Sequence, residues 1–292
     1  MAAERQISFQ RATRWAIECG PDDTMREKLD SAVAFLGGGR ITSALCAGLR
    51  LAGYDGRLVI YDRNPRKLRG LRRESRVETA RDLKSAVNRA AMLVLAVRPA
   101  SVPEALAEVK ATDIAPGLCV SLAAGFPFQR LRACLPGARW VRTMPSPVCR
   151  IARGLTAICF DRVVGKSERR RVLDFFRYVG QVVQIPERQF DAFTATFSSS
   201  HGYHAVRTLA EQAQHAGLAR ATAQIAAAHA LCDGVQYWRQ SGSSLDELLH
   251  EAATPGGTAT ATMAAMDRAG YARVVRKGLA AGIGQAQRNA KR

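Results

Sequence analysis

Short apolar runs alternate with amphipathic stretches through the first two-thirds of the chain. Ala32-Val33-Ala34-Phe35-Leu36 is the first strong run; it ends on Gly37-Gly38-Gly39 and leads into a helical stretch from Arg40 to Ala52, closed by Gly53. Leu58-Val59-Ile60-Tyr61 reads as a second strand. It ends in Asp62-Arg63-Asn64-Pro65, with Pro65 opening a further helix. Met92–Val97 is apolar throughout, as a strand covered on both faces should be. Helix over Val102–Val109, strand over Leu118–Leu122, helix over Gln129–Cys134 and strand over Arg139–Thr143 follow, the last ending in the turn Pro145-Ser146-Pro147. Strand Leu155–Phe160, helix Ser167–Tyr178 and strand Gln181–Ile185 form one more unit. Strands alternating with helices predict parallel βαβ units, hence a doubly wound α/β sheet.

After Pro186 the texture changes. From Phe190 to Ser241 the chain is rich in alanine and nearly free of proline and strand formers, which predicts long helices. Ala252 to Thr258 interrupts them, and Thr260 to Ala290 reads as helix again with a break at Gly270. Three segments result: an N-terminal extension over 1–30 with helix around Phe9–Glu18, an α/β domain over 31–186, and an all-α domain over 187–292.

Composition narrows the class. At 292 residues, 47% hydrophobic and 23% charged, the chain is long enough to bury a real core. Its longest apolar runs, Ala90–Val97 and Leu118–Ala124, fall short of the roughly 18 residues a membrane helix needs. No apolar segment marks a secretion signal at the N-terminus, and the seven cysteines form no C-x-x-C pair. They read as reduced thiols, mostly in the core, of a cytoplasmic protein. The net charge of +18 raises nucleic acid as a partner. The arginines are scattered, however, with one tight cluster at Glu168-Arg169-Arg170-Arg171, and aromatics make up only 7%. A solvated basic surface with weak, salt-sensitive association fits that pattern better than specific nucleic-acid recognition.

The glycine turn carries the first chemistry. Gly37-Gly38-Gly39-Arg40-Ile41-Thr42 fits G-x-G-x-x-[G/A] with Thr42 at the third small position, between a strand and a helix. The first glycine permits a tight turn, the second lets backbone approach a pyrophosphate, and the helix N-terminus favours the anion. Asp62 closes the second strand, where it would hydrogen-bond the ribose hydroxyls of NAD. Arg63, Arg66 and Lys67 crowd the same turn and favour the 2′-phosphate of NADP, so NADP(H) is expected ahead of NAD(H). The pattern predicts a Rossmann-like fold.

The chain resembles the pyrroline-5-carboxylate reductase family. The resemblance rests on Phe35-Leu36-Gly37-Gly38-Gly39, Leu95-Ala96-Val97-Arg98-Pro99, Val120-Ser121-Leu122-Ala123-Ala124-Gly125, Val141-Arg142-Thr143-Met144-Pro145 and Thr254-Pro255-Gly256-Gly257-Thr258, with the spacing from Asp191 to Tyr203. It covers roughly residues 33–290. It implies hydride transfer from NAD(P)H to a cyclic imino acid, with Ala96, Val97, Pro99, Ala123 and Met144 joining the glycine turn around the cofactor. It also implies a homodimer or larger homo-oligomer formed through the C-terminal helices. Gly256, Gly257 and Thr258, in a turn that opens a helix, would hold the substrate carboxylate with Ser199 and Ser200.

The departures lie in the substrate half. The family's Met-Pro-Asn-Thr-Pro is here Met144-Pro145-Ser146-Pro147-Val148, and Ala259 replaces its second threonine after the glycines. Its Ser-Gly-Ser-Gly-Pro-Ala-Tyr is here Phe197-Ser198-Ser199-Ser200-His201-Gly202-Tyr203. His201 therefore becomes a candidate proton donor to the imine nitrogen, beside Ser199 and Thr258 as candidate catalytic residues. His201 and His204 lack a third ligand nearby, so no metal is expected. Two other readings stay open. One is a non-catalytic dinucleotide-binding relative, which Val148 and Ala259 favour. The other is a β-hydroxyacid-type dehydrogenase, against which stands the lack of lysine in 187–215, where that family places one.

Overall fold

The computed structural model describes residues 32–291. The extension and its expected helix at Phe9–Glu18 lie outside them, as does Cys19. Eight strands form one sheet: β1 (Ala32–Leu36), β2 (Leu58–Tyr61), β3 (Glu78–Thr79), β4 (Ala90–Leu95), β5 (Leu118–Ser121), β6 (Arg139–Pro145), β7 (Gly154–Phe160) and β8 (Gly180–Gln184). Their spatial order is β3-β2-β1-β4-β5-β6-β7-β8. All pairings are parallel except β6 with β7. One connection departs from the parallel βαβ pattern. Between Pro145 and Gly154 the chain makes only a short 3₁₀ turn, Pro147–Ile151, far too little for a crossover, so β7 returns antiparallel.

Seven helices flank these strands: α1 (Arg40–Leu51), α2 (Pro65–Ser75), α3 (Leu83–Asn88), α4 (Val102–Lys110), α5 (Phe128–Cys134), α6 (Lys166–Arg177) and α7 (Phe190–Thr196). Because side chains alternate across a strand, each apolar run feeds two cores. Val33, Phe35, Met92 and Val94 face a layer built by Leu45 and Leu49 of α1, Leu71 of α2 and Phe176 of α6. Ala34, Leu36, Leu93 and Leu95 face the other layer, with Val87 of α3, Leu106 of α4, Leu131 of α5 and Phe190 of α7. The doubly wound α/β fold is the one the sequence predicts. Sequence patterning missed β3 and α3. The strand is two half-buried residues long, and α3 is announced only by its cap, where the Asp82 carboxylate accepts from the Ser85 amide at 2.7 Å.

Every element after Gln184 is helical: α8 (Ser200–His215), α9 (Arg220–Ser241), α10 (Leu245–Ala252), α11 (Thr258–Arg268) and α12 (Tyr271–Lys291). α10 was not expected, although Ser244 and Glu247 form a capping box at its start. By internal contacts the described chain divides into two compact units, 198–281 and 32–197 with 282–291. The helical unit buries little. Its buried side chains are Ala210, Ala223 and Ala227, while Ile225, Val235, Tyr237, Leu249 and Val274 are exposed.

In the sheet-bearing unit the tail of α12 packs on Gly125. That glycine has φ +70°, and a Cβ on it would overlap the carbonyl of Ala286. Gly125→Val should therefore destabilise the protein by about 3 kcal/mol, combining left-handed strain with overpacking. A lowered unfolding midpoint in urea checks this. A midpoint equal to that of the parent would mean that α12 does not dock here.

The described cysteines carry no disulfide. Cys46, Cys119, Cys149 and Cys159 are buried, whereas Cys232 is exposed and departs from the core-thiol expectation. Burial pushes the Cys46 and Cys119 thiols up to about 12, so neither forms a thiolate near neutral pH.

Candidate functional site

β1 and β4 are neighbours whose connections leave in opposite directions along the sheet, so the crevice beyond their carboxyl ends is the topological switch point. The strand ends there are in step: the Ala96 amide donates to the Leu36 carbonyl at 2.8 Å and the Leu122 amide to the Leu95 carbonyl at 3.0 Å. Gly37 turns the chain with φ +108°, and a Cβ on it would sit 2.6 Å from the Ala96 carbonyl oxygen and 3.3 Å from Val97. Only glycine fits. The buried Thr42 hydroxyl donates to the Gly37 carbonyl at 2.6 Å and pins the turn to the first helical residues. Thr42 thus makes a tie where the motif usually places a packing glycine. The close helix contact falls instead on Gly48, where a Cβ would overlap the carbonyl of Cys149.

Gly39 is the N-cap of α1 with extended backbone, and a Cβ there would meet no atom within 4 Å. The open space lies against the first amides of α1, contributed by Arg40, Ile41 and Thr42, which have no partner inside the helix. These observations fit a pyrophosphate: a cradle shaped by glycine, backed by a helix N-terminus at the switch point. Around the same strand ends lie Ala96, Val97 and the half-buried Pro99, which opens a 3₁₀ turn. The buried Ala123 follows β5, and the half-buried Met144 stands near the end of β6. Every expected cofactor residue is therefore at the carboxyl edge of the sheet.

Asp62 and Arg63, adjacent in sequence, are used differently. The Asp62 carboxylate accepts from the Gly38 amide and from the Asn64 amide, each at 2.8 Å, and from the Lys67 ammonium at 3.2 Å. Burial alone would raise its pKa. The two amides and Lys67 outweigh burial and hold it below the ordinary carboxylate range. Arg63 is turned to α4, where it pairs with Glu104 at 3.0 Å and with Glu108.

The expected substrate residues stand on two turns of the helical unit. Ser199 is the N-cap of α8, without a capping bond from its side chain; Ser200 and His201 begin the helix, both exposed. The Ser200 hydroxyl bonds that of Ser198 at 2.7 Å. At the second turn Gly256 has φ +74° and Gly257 is the N-cap of α11. The Gly257 amide already donates to the Thr254 carbonyl at 2.9 Å, so Gly257 shapes the turn instead of offering an N–H to an anion. The Thr260 hydroxyl, not singled out from sequence, closes the turn on the Thr254 carbonyl at 2.7 Å. Thr258 opens the helix with its side chain exposed. His229 and Asp233 pair with each other at 2.8 Å on the exposed side of α9.

One buried charge escaped the sequence reading. Arg142 on β6 is only 4% exposed, pairs with Glu187 at 2.9 Å and Asp191 at 3.7 Å, and lies over the Phe190 ring at 4.4 Å. It joins the sheet to the turn that leads into α7. Its position in Val141-Arg142-Thr143-Met144-Pro145 was the available signal.

Comparison with known proteins places this arrangement. Residues 32–125 match the family model described as NADP oxidoreductase coenzyme F420-dependent, and residues 187–289 match pyrroline-5-carboxylate reductase dimerisation. A pyrroline-5-carboxylate reductase from Mycobacterium leprae is 31% identical over 269 residues, spanning 83% of this chain and 91% of that one. The chain belongs to the pyrroline-5-carboxylate reductase family. Two solved structures share its fold: the pyrroline carboxylate reductase of Plasmodium falciparum, with a TM-score of 0.81 at 18% identity, covering 90% of this chain and 99% of that chain, and the pyrroline-5-carboxylate reductase of Coxiella burnetii, with a TM-score of 0.80 at 24% identity, covering 90% and 100%. Among the described residues no helix is long and apolar enough to cross a membrane.

Proposed function

We infer that this protein reduces the C=N bond of a cyclic imino acid with a reduced nicotinamide dinucleotide, converting 1-pyrroline-5-carboxylate to L-proline as the names of its relatives indicate. The observation that supports this most is the Gly37 cradle, which no other residue type fits and which stands at the switch point in a chain of this family. The dinucleotide would supply hydride to the imine carbon. The chain's own task is to hold both molecules and deliver one proton to nitrogen.

The amides at the start of α1 hold the pyrophosphate, and Ala96, Val97, Pro99, Ala123 and Met144 line the cofactor's path along the strand ends. Thr258 and the first amides of α11 grip the substrate carboxylate, with Gly256 and Gly257 setting the turn that presents them. Ser199 and Ser200 add donors at the start of α8, and His201 beside them is the proton donor to the imine nitrogen in this reading. On charge count alone, Arg63, Arg66 and Lys67 favour NADP(H) over NAD(H). The protein acts as a homo-oligomer assembled through its C-terminal helices. Three buried alanines cannot by themselves sustain a helical unit that leaves Ile225, Tyr237 and Val274 in water.

Following dinucleotide absorbance with pyrroline-5-carboxylate tests the reading. Thr258→Val should raise KM about ten-fold or more, the weight of a hydrogen bond to a charged group, with kcat changed far less. An unchanged KM would place the carboxylate grip elsewhere. Dinucleotide binding without turnover on any cyclic imine would favour the non-catalytic relative suggested by Val148 and Ala259.

A further inference from the structure

We propose that Glu104 and Glu108 hold Arg63 away from the nucleotide, leaving Asp62 to read the adenosine ribose, so that the protein selects NADH over NADPH. This rests on the dinucleotide reading above and adds to it the residues that discriminate. A doubly wound site takes NAD when a carboxylate at the end of the second strand meets the ribose hydroxyls, and NADP when an arginine there meets the 2′-phosphate. Both residue types are present, side by side, and their pairings decide between them.

Asp62 is in the cradle. Its carboxylate is 11% exposed and bonded to the Gly38 amide, the middle glycine of the turn. A 2′-phosphate at the ribose would bring two negative charges against it. Arg63 is committed to two carboxylates on α4 instead, and Lys67 is matched by Asp62 itself. Two of the three cations that make this turn look basic in the sequence are thus paired with acids, Arg63 with Glu104 and Glu108 and Lys67 with Asp62. Glu104 and Glu108 stand 41 and 45 residues beyond Arg63, which is why the sequence gives no hint of the pairing. They lie one helical turn apart, so both can reach one guanidinium.

Binding is read directly by titrating the intact protein with NADH and with NADPH, each without substrate. The parent should bind NADH at least ten-fold more tightly. Asp62→Asn keeps an acceptor for the Gly38 amide and removes the charge, and should tighten NADPH about ten-fold. Glu104→Gln combined with Glu108→Gln releases Arg63 and should tighten NADPH three- to ten-fold while leaving NADH unchanged. Adding Arg63→Ala should abolish that gain. All these side chains are at least partly exposed, and an unfolding midpoint close to the parent's confirms that each variant is folded. Equal or tighter NADPH binding by the parent overturns the proposal. A double-glutamine variant with unaltered NADPH affinity overturns the role of the two glutamates. Failure to bind either dinucleotide would instead sink the cofactor reading on which the proposal stands.

Discussion

Gly39→Asp should abolish dinucleotide binding while leaving the fold as stable as before, or slightly more so. The two effects have opposite signs because they come from different neighbours. Inside the protein a Cβ at residue 39 meets nothing within 4 Å, and its φ of −80° suits any L-residue. Gly39 is also the N-cap of α1, and no side chain caps that helix. Aspartate is among the best N-cap residues, although its gain over glycine is only a few tenths of a kcal/mol. The bound pyrophosphate sees the same carboxylate as a like charge. Two unit charges 4 Å apart at an effective dielectric of 20 repel by about 4 kcal/mol, or about a thousand-fold in Kd. Dinucleotide titration beside urea unfolding separates the two. Retained affinity in a folded variant would remove the pyrophosphate from this turn.

Arg142→Ala should be strongly destabilising, because it removes a buried cation from the middle of an ion-pair network on the sheet. It strips Glu187 and Asp191 of their shared cation and leaves a void against Phe190. Breaking a fully buried pair costs about 3–5 kcal/mol. Here the acids are about a third exposed, and Glu187 keeps the Phe128 amide at 2.7 Å, so about 2–4 kcal/mol is expected. The network is also incompletely bonded, since Arg142 Nε and Asp191 Oδ1 are buried without hydrogen-bond partners. Arg142→Met with Glu187→Gln should therefore recover part of the loss, because it removes charge from both sides together. A fall in urea midpoint for Arg142→Ala, partly restored in the double variant, is the expected result. An unchanged midpoint would show that the contact contributes nothing.

What could be read from the sequence follows from burial on two faces. Strands such as Ala32–Leu36 and Ala90–Leu95 are apolar at every position because each side of the sheet has its own core, and such runs stand out without alignment. The cradle was legible for the same reason: three glycines between a buried strand and an amphipathic helix have few other uses. β3 and α3 were not legible, being short and half-exposed. The antiparallel return of β7 follows from the short, helix-free link after β6, a signal that the alternation of strands and helices elsewhere masks.

Pairings across the fold were the larger loss. Arg63 looks like a phosphate ligand until Glu104 and Glu108 are brought beside it by α4. Gly257 looks like an anion donor until its amide is found on Thr254. Gly125 ends a motif with no local role, and only α12 supplies one. Each of these is a contact between residues that local periodicity cannot join.

The most direct measurement is the mass of the product formed from 1-pyrroline-5-carboxylate with NADH or NADPH carrying two deuteriums at nicotinamide C4. Hydride transfer to the imine carbon predicts proline one mass unit heavier than natural proline, with the label on C5. Proline without deuterium, or bound dinucleotide with no proline from either cofactor, would contradict the reading of this protein as a reductase of that imine.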